Sequence, residues 1–346
     1  MNINPIELTV KQVTNPTKDS CEVIFEQTQI QVPYISGQFI TLHIPMDGSI
    51  LKRSYSLCSS CVTDTNLAIC VKQTSNAYTS KYILQNIKPG QKYKADPPMG
   101  NFVLHGNENI AHIVLIGAGS GITPLLSIIK TALKNNIKTT LIYGNRAESD
   151  IIYHHTLLEL ESRYGSIFNV IYFLSQPHDT WVGYKGRINE ASAVQIIQKY
   201  AGTHLAQTHF YICGPAEMMQ DVAKGIDILG VNKENVHREL FHAASPNVNA
   251  HTPAHTATSK VKIIDGNKTY EFEVDKKNTI LETGLKLGYP LPYSCQSGMC
   301  TACMGTCIEG KVDMNDPDGL TPKEIEQGYV LTCVGRPTTD VVVIKL

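Results

Sequence analysis

The stretch Tyr293-Ser294-Cys295-Gln296-Ser297-Gly298-Met299-Cys300-Thr301-Ala302-Cys303, with Leu331-Thr332-Cys333 further on, decides how the end of the chain folds. Its cysteines are spaced C-x4-C-x2-C with a distant fourth, the thiolate spacing that holds the two irons of a [2Fe–2S] cluster. A loop carrying three such ligands must bring backbone N–H groups close to sulfur. That favours small residues, here Ser294, Ser297, Gly298 and Ala302. Zinc fits poorly, because structural zinc sites usually pair C-x2-C knuckles. Disulfides need an oxidising compartment, which nothing in the chain suggests. Cys307 reads as a small apolar strand residue rather than a fifth ligand. The expected metal ligands are Cys295, Cys300, Cys303 and Cys333.

Working outward, Val261–Ile264, a turn at Asp265-Gly266-Asn267 and the alternating run Thr269–Val274 predict a hairpin. Thr279-Ile280-Leu281-Glu282 reads as a capping box opening a helix through Leu287, stopped by Gly288 and Pro290. A short helix near Thr321 to Gln327 and a last strand from Asp340 complete a β-grasp pattern over residues 261–346. Ahead of it, Ala243 to Ser259 has two prolines, no charge and one sizeable apolar residue, so residues 243–260 are expected to be a tether. His251 and His255 are spaced i, i+4, but Pro253 between them argues against a helical metal site.

The remaining length holds two more domains, since 346 residues exceed one ordinary core. A formal charge of −1 argues against nucleic acid as the main partner. Met1 to Asn15 is polar, without the apolar core of a signal peptide, and no run reaches the length of a membrane span. Ten cysteines without a secretion signal suggest a reducing compartment, so the cytoplasm is expected.

Residues 1–108 read as short strands broken by turns, which predicts an antiparallel barrel. In Gly37 to Ile44, Ile40, Leu42 and Ile44 alternate with Phe39, Thr41 and His43, the sign of a strand with two different faces. Arg53-Ser54-Tyr55-Ser56 places a cation, an aromatic face and a hydroxyl along one strand. These suit a phosphate, a flat ring and a ring nitrogen.

Residues 109–242 change rhythm. Ile113–Ile116, Thr139–Tyr143, Asn169–Leu174 and His209–Cys213 read as buried parallel strands alternating with helices. The first runs into Gly117-Ala118-Gly119-Ser120-Gly121-Ile122-Thr123-Pro124, where glycines let the backbone approach a diphosphate at a helix N-terminus. Thr123 is the expected N-cap and Pro124 the first helical residue. The dinucleotide fingerprint G-x-G-x-x-G is not met, and no acidic residue closes the second strand. Arg146, after that strand, suits a 2′-phosphate and so NADPH, but equally a ribose contact or a solvated surface position.

Taken in order, Arg53–Ser59, Pro97–Phe102, Tyr143–Arg146, Ile212–Met219 and Gly328–Cys333 resemble the ferredoxin–NADP⁺ reductase superfamily carrying a C-terminal plant-type ferredoxin. Within it, the chain is similar to the reductase components of multicomponent oxygenases, of the type serving phenylacetyl-CoA epoxidase and ketosteroid hydroxylases. The resemblance implies three domains: an FAD-binding antiparallel β-barrel, an α/β parallel-sheet nicotinamide domain and a β-grasp [2Fe–2S] ferredoxin domain. It implies that Arg53 and Ser80 bind the FAD diphosphate, with Ser54, Val71 and Lys72 also at the cofactor. Tyr55 would pack on the isoalloxazine and Ser56 would bond near its N5. Where the family often has two glycines a few residues before the serine that corresponds to Ser80, this chain has Asn76 and Ala77. Gly117, Gly119, Gly121, Thr123, Arg146, Gly214 and Pro215 would meet NADPH or NADH. Cys213 would sit where nicotinamide meets flavin, with Glu239 and Phe241 closing the flavin side. Nicotinamide gives up two electrons together and the cluster accepts one, so a flavin between them accounts for the order of domains. The implied activity is NAD(P)H-dependent reduction of a partner oxygenase or hydroxylase. Alternatives are a reductase for hybrid-cluster protein or a small oxidant, and a non-catalytic redox sensor.

Overall fold

A computed structural model describes residues 4–26, 32–46, 48–73, 78–104, 110–241, 258–293, 296, 298, 300–314, 317 and 319–346. Ser294, Cys295, Ser297, Asn76, Ala77 and most of the expected tether lie outside the described residues. The chain falls into two compact units, one of Asn4–Leu51 with Tyr55–Phe241, the other of the chain after Phe241 with Lys52–Ser54.

In the first unit, β1 (Ile6–Thr17), β2 (Ser20–Glu26), β3 (Phe39–Met46), β4 (Ser49–Ser56), β5 (Leu67–Lys72) and β6 (Lys92–Met99) form a sheet in the order β4-β3-β6-β1-β2-β5. Neighbours pair antiparallel, and Leu57, just after β4, bridges Ile69 of β5, so the edge strands meet and the sheet curls into the expected barrel. Val10, Val23, Phe25, Leu42 and Ile69 are among its buried lining.

Two expectations from the sequence need correction here. The two faces of β3 do not differ in burial over its first half: Phe39 and Thr41 are as buried as Ile40 and Leu42. Just ahead of β3 the chain is held by α2 (Ile122–Lys134), where the Ser36 and Thr131 hydroxyls lie 2.6 Å apart and the Gly37 N–H donates to Ser127 Oγ at 3.2 Å. The second is α1 (Tyr78–Asn86), a helix where the turn pattern predicts only strands. Ile83 and Ile87, one helical turn apart, are buried against the barrel core.

The same unit contains a fully parallel sheet. It comprises β7 (His112–Ala118), β8 (Lys138–Asn145), β9 (Phe168–Leu174), β10 (Tyr184–Lys185), β11 (Thr208–Cys213) and β12 (Val236–Glu239), in the order β10-β9-β8-β7-β11-β12. α2 and α3 (His154–Tyr164) pack on one face; α4 (Glu190–Ala201) and α5 (Ala216–Ile228) pack on the other. Burial on both faces explains strands such as His112-Ile-Val-Leu-Ile, which are apolar without alternation. His112 is the exception at 1% exposure. Its Nε2 lies 2.9 Å from Thr140 Oγ1 and its Nδ1 has no partner among the described residues; burial pushes its pKa down to about 4.

In the second unit, β13 (Thr258–Asp265) and β14 (Lys268–Asp275) form the hairpin read from the sequence, followed by α6 (Ile280–Lys286). β15 (Met304–Glu309), β16 (Val312–Asp313), α7 (Pro322–Glu326), β17 (Tyr329–Leu331), β18 (Arg336–Pro337) and β19 (Val341–Lys345) complete it. The main sheet runs β14-β13-β19-β15-β17, with β13 and β19 parallel, as a β-grasp fold requires; β16 and β18 pair separately. β13 begins three residues inside the stretch read as tether. Ser259 is fully buried and its hydroxyl donates to the Thr339 carbonyl at 2.6 Å. Thr279 caps α6 through the Glu282 N–H, but Glu282 turns to Lys286 instead of closing the box. A full capping box forms at Thr321 and Glu324. Among the described residues, no helix is long and apolar enough to cross a membrane.

Candidate functional site

The parallel sheet starts in its middle. From β7 the chain moves outward through β8, β9 and β10, then returns to the other side of β7 as β11 and β12. The carboxyl ends of β7 and β11 therefore diverge into helices on opposite faces, which opens the crevice where parallel sheets bind ligands. Gly117 and Cys213, paired in register, sit at this crevice.

The glycines after β7 have different reasons to be glycine. A side chain at Gly117 would come within 2.6 Å of Leu125 Cδ1, and one at Gly121 would overlap the Cys213 carbonyl. Both allow the chain to pack on itself. Gly119 has a φ of +55°, and the nearest atom to a side chain there is Lys72 Nζ at 3.8 Å. An open backbone beside an ammonium group fits an anionic diphosphate. Residues 119–121 form a single 3₁₀ turn running directly into α2, so Gly121 precedes the helix and Thr123 is inside it. Thr123 is therefore not the N-cap; its buried hydroxyl donates to the Ser120 carbonyl at 3.0 Å, and Pro124 is the third helical residue. The Tyr143 hydroxyl donates to the Gly119 carbonyl at 2.8 Å and braces the turn from β8.

Two strand ends and the barrel converge on one point. Cys213 closes β11, fully buried, and is paired with Glu239 at the end of β12. Glu239 is only 3% exposed, and Ser56 of β4, 183 positions earlier, donates to its Oε2 at 3.0 Å. The pair brings a predicted flavin-side hydroxyl onto a predicted flavin-side carboxylate. Tyr55 packs partly on the barrel core, and Phe241, beyond β12, is 37% exposed. A Cβ at Gly214 would lie 3.1 Å from the Ala118 backbone nitrogen and 2.8 Å from the movable Met218 Cε, and Pro215 caps α5.

Other predicted residues are more spread out. Val71 points into the barrel core, so only its backbone is open to a ligand, and Ser80 is buried on α1. Arg53 and Ser54 lie on β4, and the Arg53 guanidinium donates to the Lys52 carbonyl at 2.8 Å. Arg146 is held by Asp150 at 3.2 Å and Asp19 at 3.4 Å. Nothing in the sequence signals Asp19, an ordinary hairpin-turn residue until the fold sets it against β8. Nor does any motif single out Tyr153, which has a φ of +62° and is buried. Its hydroxyl donates to Glu22 Oε1 at 2.9 Å and lies 3.1 Å from Cys58 Sγ, stitching the barrel to α3. Burial, reinforced by Glu22, pushes the Cys58 thiol up to about 12, so it stays protonated.

In the second unit, Cys300, Cys303 and Cys333 are buried at 4%, 1% and 6% exposure. The Gly298 N–H donates to Cys333 Sγ at 3.3 Å, the amide-to-sulfur contact expected of a cluster loop. Gly298 has a φ of +76°, and Gln296 adopts the left-handed region at +57° without being glycine. The Cys303 carbonyl accepts from both the N–H and hydroxyl of Thr332 at 3.2 Å, tying the Cys303 and Cys333 segments together. Carbonyls of Thr332 and Gly335 accept the first N–H groups of α6. Buried thiols with an amide aimed at sulfur fit an iron–sulfur cluster. Cys307 lies on β15, and its thiol donates to the Glu309 carbonyl at 3.3 Å, as a strand residue would.

Comparison with known proteins agrees with this division. Residues 5–104 match the oxidoreductase FAD-binding domain, 115–224 the oxidoreductase NAD-binding domain, and 263–338 the 2Fe-2S iron-sulfur cluster binding domain. The chain is 34% identical over 349 residues to the ferredoxin reductase component of 3-ketosteroid-9-alpha-monooxygenase from Rhodococcus rhodochrous, covering 96% of this chain and 94% of that protein. The chain belongs to this family of three-domain ferredoxin reductases. The reductase is also 31% identical to a component of 1,2-phenylacetyl-CoA epoxidase from Escherichia coli, over 97% of its own length and 96% of the relative's. Phthalate dioxygenase reductase shares its fold, with a TM-score of 0.64 at 21% identity, covering 99% of this chain and 98% of that one. The reductase is an NAD(P)H-dependent oxidoreductase using FAD and a [2Fe–2S] cluster.

Proposed function

We propose that the reductase delivers its electrons to a separate oxygenase, as the names of its relatives say of them. Within the reductase, the observation that supports hydride passing from nicotinamide to flavin is the Ser56–Glu239 hydrogen bond, because it joins the barrel to the end of β12, beside the crevice between β7 and β11. Under this reading Ser56, Tyr55, Cys213 and Glu239 surround the place where flavin and nicotinamide rings meet, with Phe241 covering it. Arg53, Ser54, Val71, Lys72 and Ser80 hold the remainder of FAD. Gly117, Gly119, Gly121, Thr123, Arg146, Gly214 and Pro215 line the coenzyme, and Cys295, Cys300, Cys303 and Cys333 ligate the irons. FAD, when bound, supplies the conversion of a two-electron donor into single-electron steps.

The residues' own contributions are positional. Ser56 holds the Glu239 carboxylate in a fixed direction within a dry crevice, and Cys213 is fully buried beside it. Gly298 stabilises negative charge on Cys333 sulfur. Domain limits at 108/109 and 242/243, a tether that ends where β13 begins at Thr258, and a cytoplasmic location complete the proposal.

Capture tests it. Full-length, cluster-loaded protein is immobilised and exposed to an extract of its source cells, and the retained proteins are assayed for NADH-dependent oxygen uptake requiring both partners. Retention of an oxygenase whose turnover stops with the C333S variant supports the reading. Equal turnover with C333S overturns it.

A further inference from the structure

The nicotinamide crevice carries two cations and two carboxylates whose arrangement bears on which coenzyme enters. Arg146 follows β8, next to the Gly119 turn, where the adenosine end of a nucleotide crossing the crevice would lie. Asp150 Oδ2 accepts from Arg146 Nε at 3.2 Å, and Oδ1 from Nη2 at 3.5 Å. Asp19, from the turn between β1 and β2, places its Oδ2 3.4 Å from Arg146 Nη2 and 3.9 Å from Lys72 Nζ. This aspartate is fixed in place. Thr17 Oγ1 donates to its Oδ1 at 2.7 Å, and the Gln73 N–H donates to its carbonyl at 2.7 Å. Only Oδ2 is directed at the two cations.

A 2′-phosphate arriving at Arg146 would meet a guanidinium already shared by two carboxylates, and would bring roughly −1.5 to −2 further charges beside them. A 2′-hydroxyl carries no such charge, and a carboxylate can accept a hydrogen bond from it. Lys72, beside the open Gly119 backbone, remains suited to the diphosphate common to both coenzymes.

We propose that Asp19 and Asp150 set the coenzyme preference: they occupy Arg146, so the reductase takes NADH and discriminates against NADPH. This deepens the reading of the crevice as a nicotinamide nucleotide site and rests on it.

Binding of the oxidised coenzymes to the holoprotein, measured by calorimetry at low and high salt, tests the idea without turnover. The wild-type protein should bind NAD⁺ more tightly than NADP⁺. In D19N, removing one partly exposed carboxylate should tighten NADP⁺ binding about tenfold at low salt while NAD⁺ changes less than about threefold, with the gain shrinking as salt rises. Adding R146A to D19N should abolish the gain. Equal effects of D19N on both coenzymes, or tighter wild-type binding of NADP⁺, overturn the assignment to Asp19 and leave the crevice reading intact. If neither coenzyme binds any of these flavin-loaded, folded proteins, the crevice reading fails and the proposal with it. D150N, with the more buried carboxylate neutralised, should show the same sign as D19N, and the opposite sign would overturn it.

Discussion

From the end of β7 into the turn that follows, Gly117 and Gly121 face protein, one against Leu125 and the other against the Cys213 carbonyl, while Gly119 is open between them. In the loop before β15, the Gly298 N–H faces the Cys333 sulfur, and Gln296 bends left-handed without being glycine. The nucleotide loop thus has its shape dictated largely by what packs around it, and the cluster loop by what it must ligate. A packing-dictated loop can be recognised only once its surroundings are known. A ligand-dictated loop declares itself in the spacing of a few residues.

Substitutions can break this contrast, and the largest effect should come from the cluster side. C333S should lose the iron while keeping flavin and fold, and electron delivery to a one-electron acceptor should fall more than about 100-fold. Iron content and flavin absorbance check it; a full iron complement would break the ligand reading. On the nucleotide side, G121A should cost about 3 kcal/mol, since backbone rather than a flexible side chain blocks the new methyl. G119A should cost only about 1 kcal/mol, from its positive φ alone. Thermal unfolding of the two variants sharpens the comparison, and equal losses would show that the loop is not set by packing.

Smaller effects test the crevice itself. S56A should destabilise by about 1 kcal/mol, because a buried carboxylate loses one donor, and S56T should restore part of the loss. The acid response of the parallel sheet should follow His112. Its pKa is depressed from 6.5 to about 4 by burial, so the unfolded chain binds the proton first and stability falls as pH drops through that window. The loss from pH 7 to pH 5 should be about 2 kcal/mol from this group. H112Q should flatten that part of the pH–stability curve even if it lowers stability throughout.

The order of domains and the parallel strands are legible because each rests on local chemistry, apolar runs and glycine turns, and the proposed ligand set rests likewise on cysteine spacing alone. Thr123 reads as a cap because a 3₁₀ turn merging into a helix has no separate sequence mark. The burial of Ser36 and Gly37 just ahead of β3 is not legible either, because the residues that hold them, Thr131 and Ser127 of α2, lie about ninety positions away. Resemblance alone places Glu239 at the site, but its buried bond to Ser56 needs the fold. Asp19 cannot be found at all from sequence, since a turn aspartate becomes informative only when β8 sets Arg146 against it.

The central claim is a single electron route from nicotinamide through flavin to the cluster. An anaerobic titration of the purified protein with NADH, following flavin and iron–sulfur absorbance together, tests it most directly. Proportional bleaching of both chromophores is the predicted result, with C333S bleaching at the flavin alone. A wild-type protein whose flavin bleaches while an intact cluster stays oxidised would contradict it.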